Sequence, residues 1–233
     1  FMLDERKNDT YVEKCIYRAE KLDLVAYDTF LYKNPGLKKM LRFKLHQWGI
    51  KTLNKIITDD KIKSGGEMWD ERFSSDEYAY GKEANIWLSE RVSQIDPPPN
   101  NRALFPADGE GRNAVWAARI GWNSEVFDLS VVGKQKCELL AQGHAVTVDY
   151  EVDDLALRVF PQQSYDLIAC SWFHTPSEIR KVHMPRMLHS LKSGGHFIME
   201  GYHTSQMPLH SGGPKSLDLL FDLDEVLGEL VGE

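Results

Sequence analysis

The chain has 233 residues, is 42% hydrophobic and 27% charged, and carries a formal net charge of −7. That length can bury a substantial core and is most simply one domain with an appendage. No run approaches the roughly 18 apolar residues that span a bilayer, and the charged opening FMLDERKND is no secretory signal, so a soluble, cytoplasmic protein is expected. Three widely spaced cysteines, Cys15, Cys137 and Cys170, lack metal-type pairing and suit a reducing compartment. The charge is unevenly spread: residues 1–66 hold 14 Lys+Arg against 9 Asp+Glu, net +5, and residues 67–233 hold 14 against 26, net −12.

Tyr11 to Leu31 reads as a helix stopped by Asn34-Pro35-Gly36. From Lys33 to Lys55 there are seven basic residues and no acid, with Leu37, Met40, Leu41, Leu45, Trp48, Leu53 and Ile56 at helical spacing. Packing of the apolar stripe on the larger domain accounts for this pattern. The same features over residues 33–57 could serve contact with an anionic membrane surface. KIKSGG, Lys61 to Gly66, is the best linker in the chain, which predicts a basic helical extension over 1–66 and a second domain over 67–233.

At Met68 the composition turns aromatic and acidic. Trp69, Phe73, Tyr78 and Tyr80 are too dense for a solvent loop and predict a hydrophobic strap over a sheet, some of it walling a ligand pocket. A helical pattern runs from Glu83 to Val92, and Asp96-Pro-Pro-Pro-Asn-Asn forms a stiff turn into the first strand. Ala103 to Ser130 then reads as strand, glycine turn, helix, strand and acidic tip. That is the order that grips a nucleotide-like ligand at the edge of a parallel sheet. Gly109 and Gly111 let the backbone turn sharply and come close to a ligand, and Asp128, 17 residues beyond Gly111, stands where a carboxylate meets ribose hydroxyls. An adenosine-containing ligand is the expectation.

WDERF, Tyr80-Gly81-Lys82-Glu83-Ala84-Asn85 and Gly111-Arg112-Asn113-Ala114 together resemble the class I S-adenosylmethionine-dependent methyltransferases. Within them the chain is most similar to the small-molecule branch of TehB-like, thiopurine and thiol methyltransferases, from about Met68 to Leu230. The resemblance implies an α/β fold: a Rossmann-like, doubly wound, mostly parallel sheet with helices on both faces, preceded by the N-terminal helical extension. It implies S-adenosylmethionine as cofactor and S-adenosylhomocysteine as product. It places Ala107, Asp108, Gly109, Gly111 and Asn113 in the loop beneath the methionine moiety, and Asp128 with Leu129 and Ser130 at the ribose. Asp149 and Tyr150, at the end of a strand starting at His144, would lie against the adenine, and Trp69 and Cys170 would complete the pocket. Further strands are expected over Tyr165–Cys170 and Gly195–Tyr202, with a helix over Glu178–Leu191 between them.

Two departures from the family pattern stand out. Phe105 occupies a position where the family usually carries an acid, and Ala107 one that is often glycine. After Pro208 only one helical pattern follows, Asp222 to Leu230, where the family adds two more strands, so the fifth strand is expected as a free edge. A sulfonium methyl is already activated, so the protein chiefly aligns a nucleophile and excludes water. The expected acceptor is a small molecule, a thiol, metalloid or similar nucleophile. An oxygen or nitrogen acceptor could use a base, for which His174, Tyr202 and His203 are the candidates, His174 first. Alternatives are a macromolecular target docked on the basic helix and an assembly protein without turnover. A homodimer through the sheet edge or the N-terminal helices is also conceivable; the acidic domain argues against a nucleic-acid partner.

Overall fold

The computed structural model describes residues 65–209 and 212–231. The helices expected before residue 61, with Cys15, lie outside the described residues. Five strands form one sheet in the order β3-β2-β1-β4-β5: β1 Ala103–Pro106, β2 Ser124–Asp128, β3 Val148–Val152, β4 Tyr165–Ser171 and β5 Leu191–Glu200. Every pairing is parallel. The helices are α1 Gly65–Arg72, α2 Ile86–Val92, α3 Arg112–Arg119, α4 Val131–Gly143, α5 Ser177–Leu188 and α6 Leu223–Val231.

The central strands are apolar on both faces because helices cover both. Phe105, Val126, Tyr150, Leu167 and Ala169 face Leu88 and Val92 of α2, Val115 and Ala117 of α3, and Cys137 and Leu140 of α4. Leu104, Phe127, Ile168 and Cys170 face Met184 and Met187 of α5 and Val226 of α6. The chain order reverses between β1 and β4, which places a topological switch point, where ligands of such sheets bind, at their carboxyl ends.

Several expected boundaries shift. Gly65 and Gly66, read as linker, open α1. The strap therefore begins as a helix, and only its later part, around Phe73 to Tyr80, is irregular. β5 starts at Leu191 rather than Gly195, because Lys192-Ser-Gly-Gly continues the strand through a bulge beside Tyr165. Among the described residues nothing pairs along the outer edge of β5. Beyond its end, one parallel bridge joins His203 to Phe221.

Candidate active site

β1 runs into a loop whose backbone is left-handed at Ala107 (φ 50°), Gly109 (φ 55°) and Gly111 (φ 81°). At Gly111 a Cβ would stand 2.1 Å from Cys137 Sγ, so α4 leaves room there for glycine alone. Ala107 takes the same kind of turn at a steric cost of about 1 kcal/mol; its N–H donates to Phe127 O at 2.8 Å. Asp108 turns its carboxylate back onto α3, accepting from the N–H of Asn113 (3.1 Å) and Ala114 (2.9 Å) and from Asn113 Nδ2 (2.5 Å). Enclosure of that carboxylate raises its pKa to about 7, against these hydrogen bonds and Arg112, which lower it. Asp108 thus holds the helix and is not offered to a ligand.

Asp128, at the end of β2, clamps the two loops together. Oδ2 accepts the Gly109 N–H at 3.0 Å and Oδ1 the Ser130 N–H at 2.9 Å. Burial pushes its pKa up, while the Ser130 and Gly109 amides pull it down. Each oxygen retains a second lone pair for a hydroxyl donor. Ser130 does not. Its hydroxyl donates to Asp70 Oδ1 (2.6 Å) and accepts the Gly133 N–H (2.8 Å), so Ser130 caps α4 rather than meeting a ligand. Leu129 between them is exposed, and α1 passes close to its backbone: a Cβ on Gly66 would lie 3.0 Å from Leu129 O. Trp69, half-buried on α1, stacks on Phe73 at 5.4 Å.

The strap is tied to the same loop by a buried ion pair. Lys136 Nζ lies 2.6 Å from Glu110 Oε1 and within hydrogen-bonding reach of the carbonyls of Phe73 (3.1 Å), Ser75 (2.7 Å) and Glu77 (2.8 Å). Glu110 Oε2 accepts the Ala79 N–H at 2.8 Å. Sequence reading passed over both residues; a Lys on the buried face of α4 and a Glu between two turn glycines were the available signals.

Three expected ligand contacts are corrected. β3 spans Val148–Val152, not His144–Val148, so Asp149 lies exposed near its amino end, in register with Glu125. The short strand was preceded by residues that cap α4 and turn, with Ala145 left-handed. Tyr150 is buried under the loop, its hydroxyl donating to Gly109 O at 2.8 Å. The acid at the carboxyl end of β3 is Asp153, whose N–H donates to Asp128 O at 3.0 Å. Cys170 is enclosed among Ile168, Phe173 and Met184 on the α5 face, and burial raises its thiol pKa.

On the other side of the switch point, His174 is also corrected. Its Nδ1 lies 2.7 Å from Leu219 O and its Nε2 accepts the Tyr202 N–H at 3.2 Å, so the ring is a neutral tautomer with both nitrogens committed to backbone. Burial lowers its pKa, with Leu219 O opposing. It cannot act as a base in this arrangement. Tyr202 packs at 4.6 Å against Trp172, the rings tilted by 35°, and Trp172 is exposed and left-handed (φ 58°). His203 caps the short 3-10 turn Thr204–Gln206. Ser171, the last residue of β4, has a buried hydroxyl without a partner among the described residues. Its register partner is Glu200, the last residue of β5. Asn113 is buried, its Oδ1 accepting the Asn85 N–H at 2.8 Å. Elsewhere a groove of about 500 Å³ lies between α2 and β5, lined by Trp87, Arg91, Ile95, His196 and Ile198; no residue of the glycine loop lines it.

No family model and no curated protein matches the chain. Solved structures do. One, solved in work on the conversion of a disulfide bond into a thioacetal group during echinomycin biosynthesis, is 14% identical over 71% of this chain and 76% of that one, with a TM-score of 0.54. A protein of Pyrococcus horikoshii OT3 is 15% identical over 62% of this chain and 77% of its own, TM-score 0.53. A candidate methyltransferase of Bacillus halodurans C-125 is 15% identical over 62% and 67%, TM-score 0.52. At such identities the likeness establishes the fold, a parallel Rossmann-like sheet between helices.

Proposed function

We propose that the protein is an S-adenosylmethionine-dependent methyltransferase acting on a small-molecule acceptor. The observation that carries this reading is the Asp128 clamp: a carboxylate at the end of β2 fastened to the glycine turn after β1, beside the switch point of a parallel sheet. The residues present suit the cofactor. Asp128 keeps acceptor capacity for ribose hydroxyls, Leu129 offers an exposed apolar surface beside it, Trp69 lies half-buried on α1, the helix whose first residues approach Leu129, and the orphan Ser171 hydroxyl awaits a polar partner at the end of β4. Phe105, where the family's acid would stand, is 1% exposed and fills the core, so that acid's work falls to other groups.

The cofactor, when bound, supplies a methyl group on a sulfonium sulfur. The protein's part is to align an acceptor and keep out water, and the strap fastened by Lys136 and Glu110 suits the second task. With both His174 nitrogens committed to backbone, His174 is not offered as a base. The assignment to the TehB-like branch rests on the WDERF and Gly-Arg-Asn motifs of the sequence alone. A cytoplasmic setting belongs to the same proposal, in keeping with the free, buried Cys137 and Cys170; no helix of the described residues is long and apolar enough to cross a membrane.

Calorimetry with S-adenosylmethionine and S-adenosylhomocysteine tests the reading. Micromolar binding of both is expected. Binding of neither would remove the methyltransferase assignment, and binding without transfer to any acceptor would favour a cofactor-holding assembly protein.

A further inference from the structure

A single chain of hydrogen bonds links the glycine loop to the end of β5. Asn113 Nδ2 donates to Asp108 Oδ1 at 2.5 Å, the Asn85 N–H donates to Asn113 Oδ1 at 2.8 Å, and Asn85 Nδ2 donates to Glu200 Oε2 at 2.6 Å. The Asn85 amide cannot be reversed, because its Oδ1 accepts the Leu88 N–H at 2.9 Å and caps α2. Glu200 is therefore held as an acceptor at the carboxyl end of β5. Among the described residues no Lys or Arg pairs with it, and its Oε1 has no hydrogen-bond partner.

What surrounds this carboxylate suits a ligand. Ser171 and Glu200 are partners in register, so their side chains leave the sheet on one face, and the Ser171 hydroxyl is buried and unpartnered. The Trp172 N–H donates to Glu200 O at 2.9 Å. The Trp172 ring, 39% exposed, and the Tyr202 ring, 4.6 Å from it and tilted by 35°, form an aromatic pair at the same strand ends.

We infer that Glu200, with Trp172 and Tyr202, forms the acceptor side of the site and selects a neutral nitrogen nucleophile, an amine or an aromatic ring nitrogen, over a thiol or a metalloid oxyanion. This rests on the methyltransferase reading. In such a transfer the nitrogen lone pair forms the N–C bond, the C–S bond breaks with its electron pair kept by sulfur, and the positive charge passes from sulfonium to nitrogen. A methylated amine then sheds a proton from that nitrogen to solvent, and a methylated benzimidazole sheds the proton of its other ring nitrogen. A fixed carboxylate stabilises charge that develops as the methyl arrives, and aromatic faces attract the resulting cation. A thiolate or oxyanion would instead meet Glu200 as a like charge.

The test uses the full chain, labelled S-adenosylmethionine and acceptors offered in matched pairs: benzylamine with benzyl mercaptan, 2-phenylethylamine with 2-phenylethanethiol, and benzimidazole with tellurite as the anionic contrast. Label is expected on nitrogen members only. Glu200→Gln, whose amide oxygen can still accept from Asn85, is expected to lower kcat on the nitrogen acceptor at least tenfold while S-adenosylhomocysteine affinity stays within twofold. Label on sulfur or tellurium, no transfer to any nitrogen acceptor by a protein that binds S-adenosylhomocysteine, or an unchanged kcat in Glu200→Gln overturns the inference. Failure of S-adenosylhomocysteine to bind, read in a separate titration, removes the methyltransferase reading and the inference with it.

Discussion

Lys136 Nζ stands 2.6 Å from Glu110 Oε1 with both side chains buried, so the helix after β2 and the loop after β1 share one enclosed charge pair. Three strap carbonyls converge on the same ammonium. Removing one partner leaves the other charge buried and uncompensated, which typically costs about 3–5 kcal/mol. Lys136→Met is expected to lose stability on that scale in urea denaturation, and Lys136→Met with Glu110→Gln to recover part of it. A loss below about 1 kcal/mol in the single variant would mean that the pair is not enclosed as described.

Asp128→Ala releases the Gly109 and Ser130 amides together. The affinity for S-adenosylhomocysteine is expected to fall by about 1–3 kcal/mol, the usual cost of leaving buried hydrogen-bonding partners unmatched. Calorimetry reads this directly. Unaltered affinity would place the ribose elsewhere.

Asp108 gives a pH dependence with a definite sign. Its folded pKa of about 7 lies above the ordinary carboxylate value near 3.8. The folded state therefore keeps this proton when the unfolded chain has lost it. The contribution is complete below about pH 4 and disappears as pH rises through 7. Asp108→Asn keeps an oxygen for the Asn113 and Ala114 amides and removes the titration. Urea midpoints of the two proteins should therefore diverge between pH 4 and 8, with the parent losing ground as pH rises; parallel curves would show that Asp108 titrates normally.

His174 is expected to behave as scaffold. With both ring nitrogens hydrogen-bonded, His174→Ala should lower stability by about 1–3 kcal/mol, because Leu219 O and the Tyr202 N–H lose their partner. Its lowered pKa means that its neutral-form contribution is present above the ordinary histidine range and is lost as pH falls through the folded value. The pH profile of turnover should keep its shape in the variant. Loss of one limb of that profile would restore the catalytic role that the sequence suggested.

The central part of the fold was legible in the sequence. Ala103–Pro106 and Tyr165–Ser171 are short apolar runs bounded by turn residues, and such runs are buried on both faces wherever strands alternate with helices. The glycine turn could be located from Gly109 and Gly111 following a short apolar run; the structure adds the reason for the second glycine, since a Cβ there would meet Cys137. Asp149 was misplaced because β3 carries only five residues, mostly exposed or half-buried, and its alternation extends ambiguously into the turn before it. Local pattern alone could not find its end.

What the chain specified by itself is what local physics can carry: strand and helix order, the positions that need a left-handed backbone, and an acid at the tip of β2. What only the tertiary structure decided is which polar groups are already satisfied. Asp108, Ser130 and His174 looked available to a ligand, and each is hydrogen-bonded to backbone or to a distant side chain. Ser171 was read only as the opening of the loop after β4 and Glu200 attracted no notice, yet register sets them side by side at the carboxyl ends of β4 and β5. A hydrogen bond between residues 115 positions apart, such as that from Asn85 to Glu200, has no signature in either local sequence, because strand order and register create the contact.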